Sequence, residues 1–274
     1  MATESRTIIH FTKSAEPLKG ILKIGFKLKY CRERVMFGDT EKQFRVPMVS
    51  FCDISISQAA ENISKYGQYG VGLTEQWAIK RGLTPVIYLQ RYSALAESML
   101  KLSDRIVEDE SKSFREWLKQ AKDQGKSLAE ALMNYVKEEA LKAKSDDLLM
   151  NAMDILRYTK NYKGDLVRAN GERTPDYYFG DEREWRYALK TRNFGMFMYM
   201  EQMTEKEGMA EMMQKLIDDQ RLLFDAQDIS FIIVPTDGER DDIQRHIESL
   251  GDRFSQDEMA ELKSKVLKLE ELIK

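Results

Sequence analysis

The chain has 274 residues, 42% of them apolar, enough to bury a sizeable core in one large domain or in a domain with an insertion. Its 43 basic and 46 acidic residues leave a net charge of -3 and a pI near 5.7, which excludes a broadly basic, non-specific nucleic-acid surface. Two cysteines, Cys31 and Cys52, are too few for a disulfide framework, no apolar run reaches the ~20 residues of a membrane span, and no signal-like segment opens the chain, so a reducing cytoplasmic setting is expected.

In chain order, Thr7 to Thr12 predicts a strand that places His10, one of two histidines, in a short apolar β-branched run. Pro17, then Leu18, Ile21 and Leu22, then Gly25 predict a two-turn amphipathic helix with a glycine stop. Short strands are expected over Val46 to Cys52, Tyr69 to Leu73 and Pro85 to Leu89, with helical patterns around Ser57 to Tyr66 and Glu75 to Arg81. From Ser93 the pattern turns helical, with Leu95, Met99, Leu102 and Ile106, then Leu128, Leu132, Tyr135 and Val136 after a break at Gly125. We expect a single domain over 1–274, with 93–175 a mainly helical insertion that covers the sheet; a separate small domain is the alternative.

The sheet is expected to resume at Glu182 to Tyr187 and at Ile229 to Val234, the clearest buried strand of the chain. Between them, Thr191 to Phe224 is rich in methionine, as in an adaptable binding surface or an ordinary core. Ser255 and Glu258 form a capping box, and Met259, Leu262, Val266, Leu269 and Leu272 continue at helical spacing, predicting a C-terminal helix with a narrow apolar stripe. That stripe packs on the domain or offers a seam to a partner.

Two features suggest chemistry. His10 is a half-buried imidazole on a strand, and Glu182 and Glu184, two residues apart, share a face if both lie in a strand. Each has a plain alternative: a satisfied core histidine, and an edge strand whose charges are balanced by Arg183 and Arg186. Cys31, Cys52 and His10 lack the paired spacing of a structural zinc site, so no metal is expected.

The series Ile9-His10-Phe11-Thr12, Leu18-Lys19-Gly20-Ile21-Leu22, Val46 to Ile54, Tyr66 to Leu73 and Pro85 to Tyr88, with Glu182 to Arg186 later, resembles the bacterial abortive-infection AbiGi-like family. That family name is tied to an antitoxin role in phage resistance. The opening strand and helix are also similar to ADP-ribosyltransferases, especially DarT-like toxins and RNA 2'-phosphotransferases, whose first strand reads His-x-Thr as His10 to Thr12 does here. This second resemblance implies an α+β fold with a split mixed sheet, and NAD as substrate. His10 and Thr12 would hold ribose hydroxyls, Ser50 or Phe51 would line the nicotinamide pocket, and Tyr66 or Tyr69 would stack on the ring.

Arg32 and Arg45, with Arg34, are available for the pyrophosphate. Glu184, or Glu182, would stabilise the oxocarbenium-like charge that develops when the nicotinamide bond breaks, a contribution of about 3 kcal/mol. The function so implied is ADP-ribose transfer to a macromolecule, a nucleobase of RNA or DNA rather than a protein, in anti-phage defence. A Glu184→Gln chain would then lose activity with unchanged folding. The alternatives are an inactive antitoxin-type protein that binds a partner toxin, and a NAD glycohydrolase.

Overall fold

A computed structural model describes residues 6–55, 67–126, 130, 134, 148–167, 171–189, 211, 214, 215 and 217–272. The predicted helix over Ser57 to Tyr66, the apolar positions Leu128, Leu132, Tyr135 and Val136, and the methionines from Met196 to Met213 lie outside them, as does Tyr66.

Period-two burial sets the central strands. In β1 (Thr7–Thr12), Ile8 packs on one face with His10, whose ring meets Phe26 and Phe51, while Ile9 and Phe11 pack on the other. The following helix α1 (Ala15–Ile24) buries Leu18, Ile21 and Leu22 and stops at Gly25, whose N–H donates to the Ile21 carbonyl at 2.8 Å. Gly25 has φ +83°, and a Cβ there would sit 2.9 Å from the Leu222 carbonyl. Gly25→Ala is therefore expected to cost about 1–3 kcal/mol, read as a lowered Tm.

After β2 (Phe26–Lys27), β3 (Lys29–Phe37) and β4 (Thr40–Cys52) form a long antiparallel hairpin. Beyond β5 (Tyr69–Thr74) come α2 (Glu75–Lys80), capped by Thr74, and two short strands, β6 (Thr84–Pro85) and β7 (Ile87–Leu89). Ser93 caps α3 (Ala94–Asp123), and α4 (Leu148–Arg157) leads into β8 (Thr159–Asn161), β9 (Lys163–Val167) and β10 (Arg173–Tyr178). A 3-10 turn over Phe179–Glu182 then delivers β11 (Glu184–Ala188). The last third holds β12 (Arg221–Leu222), β13 (Ile229–Val234), α5 (Asp237–Glu248), α6 (Gln256–Ser264), β14 (Val266–Lys268) and α7 (Leu269–Leu272).

The result is a mixed α+β fold. Its main sheet runs β14-β13-β5-β1-β4-β11-β6, with β3 also on β4; β13 and β14 are parallel and the remaining pairs antiparallel. We expected a split sheet, but these strands make one continuous sheet, because the 13-residue β4 reaches β3 with its first part and β1 and β11 with its last. On one face α1, α2, α5 and α6 cover a core that includes Leu22, Phe51, Trp77, Ile243 and Leu262. On the other, α3 and α4 bring Met99, Ile106, Met153 and Leu156 against Val35, Phe44, Val46 and Met48. Within the stretch expected to be mainly helical, α3 and α4 pack on the sheet, and the last part is strand: β8 pairs with β7, and β9 with β10.

Two other expectations need correction. The C-terminal helix is not continuous: α6 ends at Ser264, and Val266 instead pairs with Ile232 in parallel, because a branched side chain beside β13 is fully buried there. Glu182 is not in a strand with Glu184 but in the 3-10 turn before it, separated by Arg183 in the left-handed region at φ +45°.

Candidate functional site

Antiparallel partners point the same way, so register assigns each candidate to a face of the sheet. Glu184 lies opposite Cys52, and Arg186 opposite Ser50. Glu33 lies opposite Phe44, a core residue of the α3/α4 face. Ser50, Glu33, Glu184 and Arg186 therefore meet on that face. Lys160 of β8 comes to them from the edge, and Glu182 from the turn.

The contacts are close. The Ser50 hydroxyl donates to Glu184 Oε1 at 2.8 Å, and Lys160 Nζ donates to Glu184 Oε2 at 2.8 Å and to Glu182 Oε2 at 2.9 Å. Arg186 Nε donates to Glu184 Oε1 at 2.6 Å, while its Nη2 reaches Glu33 at 2.8 Å and its Nη1 the Arg157 carbonyl at 2.8 Å. Tyr88 accepts from the Glu184 N–H at 2.8 Å, and Tyr177 donates to Glu182 at 3.0 Å. Arg186 is fully buried and Glu184 nearly so. Three carboxylates thus share two cations inside the protein, with hydroxyls on the remaining lone pairs.

Burial alone pushes the Glu184 carboxyl up, but the Arg186 and Lys160 charges and hydrogen bonds outweigh it and hold the group well below the usual carboxylate range. Burial likewise lowers Lys160, and Glu184, Glu182 and Glu33 more than reverse it, so the ammonium stays charged. The Cys52 thiol, facing the same carboxylates, is pushed up to about 12 by burial and then by Glu182 and Glu184. It is no nucleophile at neutral pH. Ser50→Ala is expected to cost about 1.5–3 kcal/mol, because Glu184 loses a charge-assisted bond; thermal unfolding measures it.

The other predicted residues are on the opposite face. His10 donates its Nδ1–H to the Ser50 carbonyl at 2.8 Å, and its ring sits 5.2 Å from Phe26 and 5.5 Å from Phe51. Burial lowers its pKa, partly offset by the Ser50 bond, so the imidazole is neutral at pH 7. Thr12 bonds the Ser14 carbonyl at 3.0 Å, and Tyr69 bonds Glu239. Arg32 and Arg45 are paired across the β3–β4 hairpin, with Arg32 on Gln43.

The sheet therefore separates His10, Thr12, Phe51 and Tyr69 from Glu182, Glu184 and the Ser50 hydroxyl. Of the predicted set, Glu182, Glu184 and Ser50 are brought together. Lys160, Arg186, Glu33, Tyr88 and Tyr177 complete their cluster and were not singled out as site residues. Arg186 was legible, since two-residue spacing puts it beside Glu184, and Glu33 interrupts the otherwise apolar inward series Cys31, Val35, Phe37. Lys160 had no signal.

What these features define is an α+β sheet protein organised around an enclosed ion-pair network. The chain belongs to the AbiGi family: the family profile, described as abortive phage resistance protein AbiGi and labelled an antitoxin, matches residues 25–235. The abortive phage resistance protein AbiGi of Lactococcus lactis subsp. cremoris is 24% identical over 243 residues, covering 84% of this chain and 89% of that protein. No solved structure matches. Among the described residues, no helix is long and apolar enough to cross a membrane.

Proposed function

We propose that the protein acts in abortive infection as an antitoxin-type binding protein that holds a partner toxin, rather than by turnover. The observation that carries this reading is the fate of the two glutamates: each is bonded inside the chain, Glu184 to Lys160, Arg186 and Ser50 and Glu182 to Lys160 and Tyr177, with His10 across the sheet. Carboxylates so engaged stiffen a scaffold, and the family's antitoxin description supports the same reading. Co-expression with the product of the gene beside it in its natural locus tests it. Growth arrest by that product alone, relieved by this chain, is the expected result; arrest by this chain alone is the opposite one.

A second reading, NAD-dependent ADP-ribose transfer to a nucleobase of RNA or DNA, or NAD hydrolysis, is favoured by one contact. The 2.8 Å Ser50–Glu184 bond joins the serine and glutamate that such chemistry uses. Incubation with labelled NAD and RNA, DNA or lysate separates the readings: binding predicts no label on a macromolecule and no free ADP-ribose.

A further inference from the structure

The strands β8, β9 and β10, with the turn that follows them, are joined to the rest of the protein by polar groups. Among the described residues from Tyr158 to Arg183, no apolar side chain is buried. The preceding helix α4 ends in the core with Leu156, whereas the inward side chains of β8 are Thr159 and Asn161, 0% and 4% exposed.

Hydrogen bonds hold this unit on both edges. Thr159 Oγ1 donates to the Ile155 carbonyl at 2.9 Å. The Asn161 amide imitates a neighbouring strand: Oδ1 accepts the Met36 N–H at 2.7 Å and Nδ2 donates to the Met36 carbonyl at 2.9 Å, closing β8 onto β3. On the opposite edge the Tyr162 N–H donates to the Leu89 carbonyl of β7 at 2.9 Å. Between the two, Lys160 reaches Glu184 on the main sheet. The aromatic rings of the unit pack largely on one another, Tyr162 on Tyr178 at 5.9 Å and Tyr177 on Phe179 at 5.0 Å; Tyr162 also meets Tyr88 of β7 at 6.5 Å.

Such an attachment is easily parted. Polar groups that separate on opening bond water instead, so each contributes little net, and desolvation offsets much of the attraction within a buried ion pair. An apolar side chain pulled from a core finds no such replacement. Both ends of the unit can act as hinges. It enters through Tyr158, just after the core residue Leu156, and leaves through Arg183, which sits at φ +45° with its side chain 49% exposed. That backbone is strained for a residue with a Cβ, and opening relieves it. The Arg183 carbonyl accepts the Asp53 N–H at 3.0 Å, so the sheet side of this hinge stays fixed.

We propose that β8, β9, β10 and the Phe179–Glu182 turn form a flap, latched by Lys160 and Asn161, that swings off the main sheet as one unit and gates access to Glu184 and Ser50. Opening breaks the bond from Lys160 and uncovers Glu184 Oε2, while Arg186 and Ser50 still hold Oε1. The flap is independent of both functional readings.

Hydrogen exchange of the native protein, read residue by residue by NMR, tests this. The Met36 and Tyr162 amides lie on opposite edges of β8, and each is bonded across the boundary of the flap. Both are expected to exchange through one opening, at least about 100-fold faster than the Ile232 amide of β13. Lys160→Met should speed both by about 30-fold or more, because it leaves Glu184 short of a cation in the closed form. Ile243→Val loosens a core that stays folded when the flap opens, so it should speed Ile232 about fivefold and leave Met36 and Tyr162 unchanged. If Lys160→Met does not fold, Glu182→Gln replaces it, with a rise of about tenfold expected at both amides. Met36 and Tyr162 rates that follow Ile232 in Ile243→Val mean opening only with the whole protein, and overturn the flap. Rates indifferent to the latch substitution mean local fraying, and unequal openings at the two amides mean separate events; either result overturns it as well.

Discussion

Arg186→Met is expected to destabilise the protein by about 3–5 kcal/mol, a large part of the ~5–15 kcal/mol that holds an ordinary domain together. The guanidinium is fully buried and bonds Glu184, Glu33 and the Arg157 carbonyl at once, so it ties β11 to β3 and to the end of α4. Methionine fills similar volume but leaves two carboxylates, Glu33 and Glu184, facing each other with Lys160 as the remaining cation. The cost is the unpaired charge, not a lost contact area. Denaturant titration should show a lower midpoint with an unchanged slope. Adding Glu184→Gln should recover part of the loss, because it removes one of the orphaned charges.

Glu184→Gln alone is expected to cost about 3 kcal/mol at pH 7 and to flatten the acid limb of the stability curve. The amide offers one acceptor oxygen and presents its NH2 to a lysine or arginine that can only donate. This corrects the expectation, drawn from the ADP-ribosyltransferase resemblance, that the substitution leaves folding untouched. The sign of the pH effect follows from the direction of the shift. A carboxyl held below its unfolded pKa of about 4.5 adds stability that is complete above that pH and drains away as pH falls toward the folded value. Wild-type protein should therefore lose stability steeply below about pH 4.5, and the Gln variant less so. His10, kept neutral by burial, adds a separate loss below its unfolded pKa of 6.5 that both proteins share. Unfolding free energies of the two chains between pH 3 and 7, measured side by side, check the difference.

The sheet and its helices were legible where a local pattern carries the information. Ile8, Leu18, Ile21 and Gly25 announce β1, α1 and its stop; Ile229 to Val234 announces β13; Ser255 and Glu258 announce α6. The misses have long-range causes. Val266 fits a helical stripe equally well, and only the vacancy beside Ile232 makes it a strand. Glu182 and Glu184 share a cation because Lys160 of β8 arrives between them, which no spacing near either residue encodes.

The separation of His10 from Glu184 is the largest miss. Their faces depend on the registers Ile9↔Cys52 and Cys52↔Glu184, and a slip of one residue in either pair would have put imidazole and carboxylate on the same side. Residue types in the expected chain order therefore did not make a common cleft. The opposite faces leave His10 as a core group, while Lys160 ties the glutamates to β8.

Calorimetric titration of the neighbouring gene's purified product into this chain, without NAD, tests the binding account most directly. The account predicts saturable binding with Kd of about 1 µM or tighter, equivalent to about -8 kcal/mol. A flat titration, with folded protein on both sides, would contradict it.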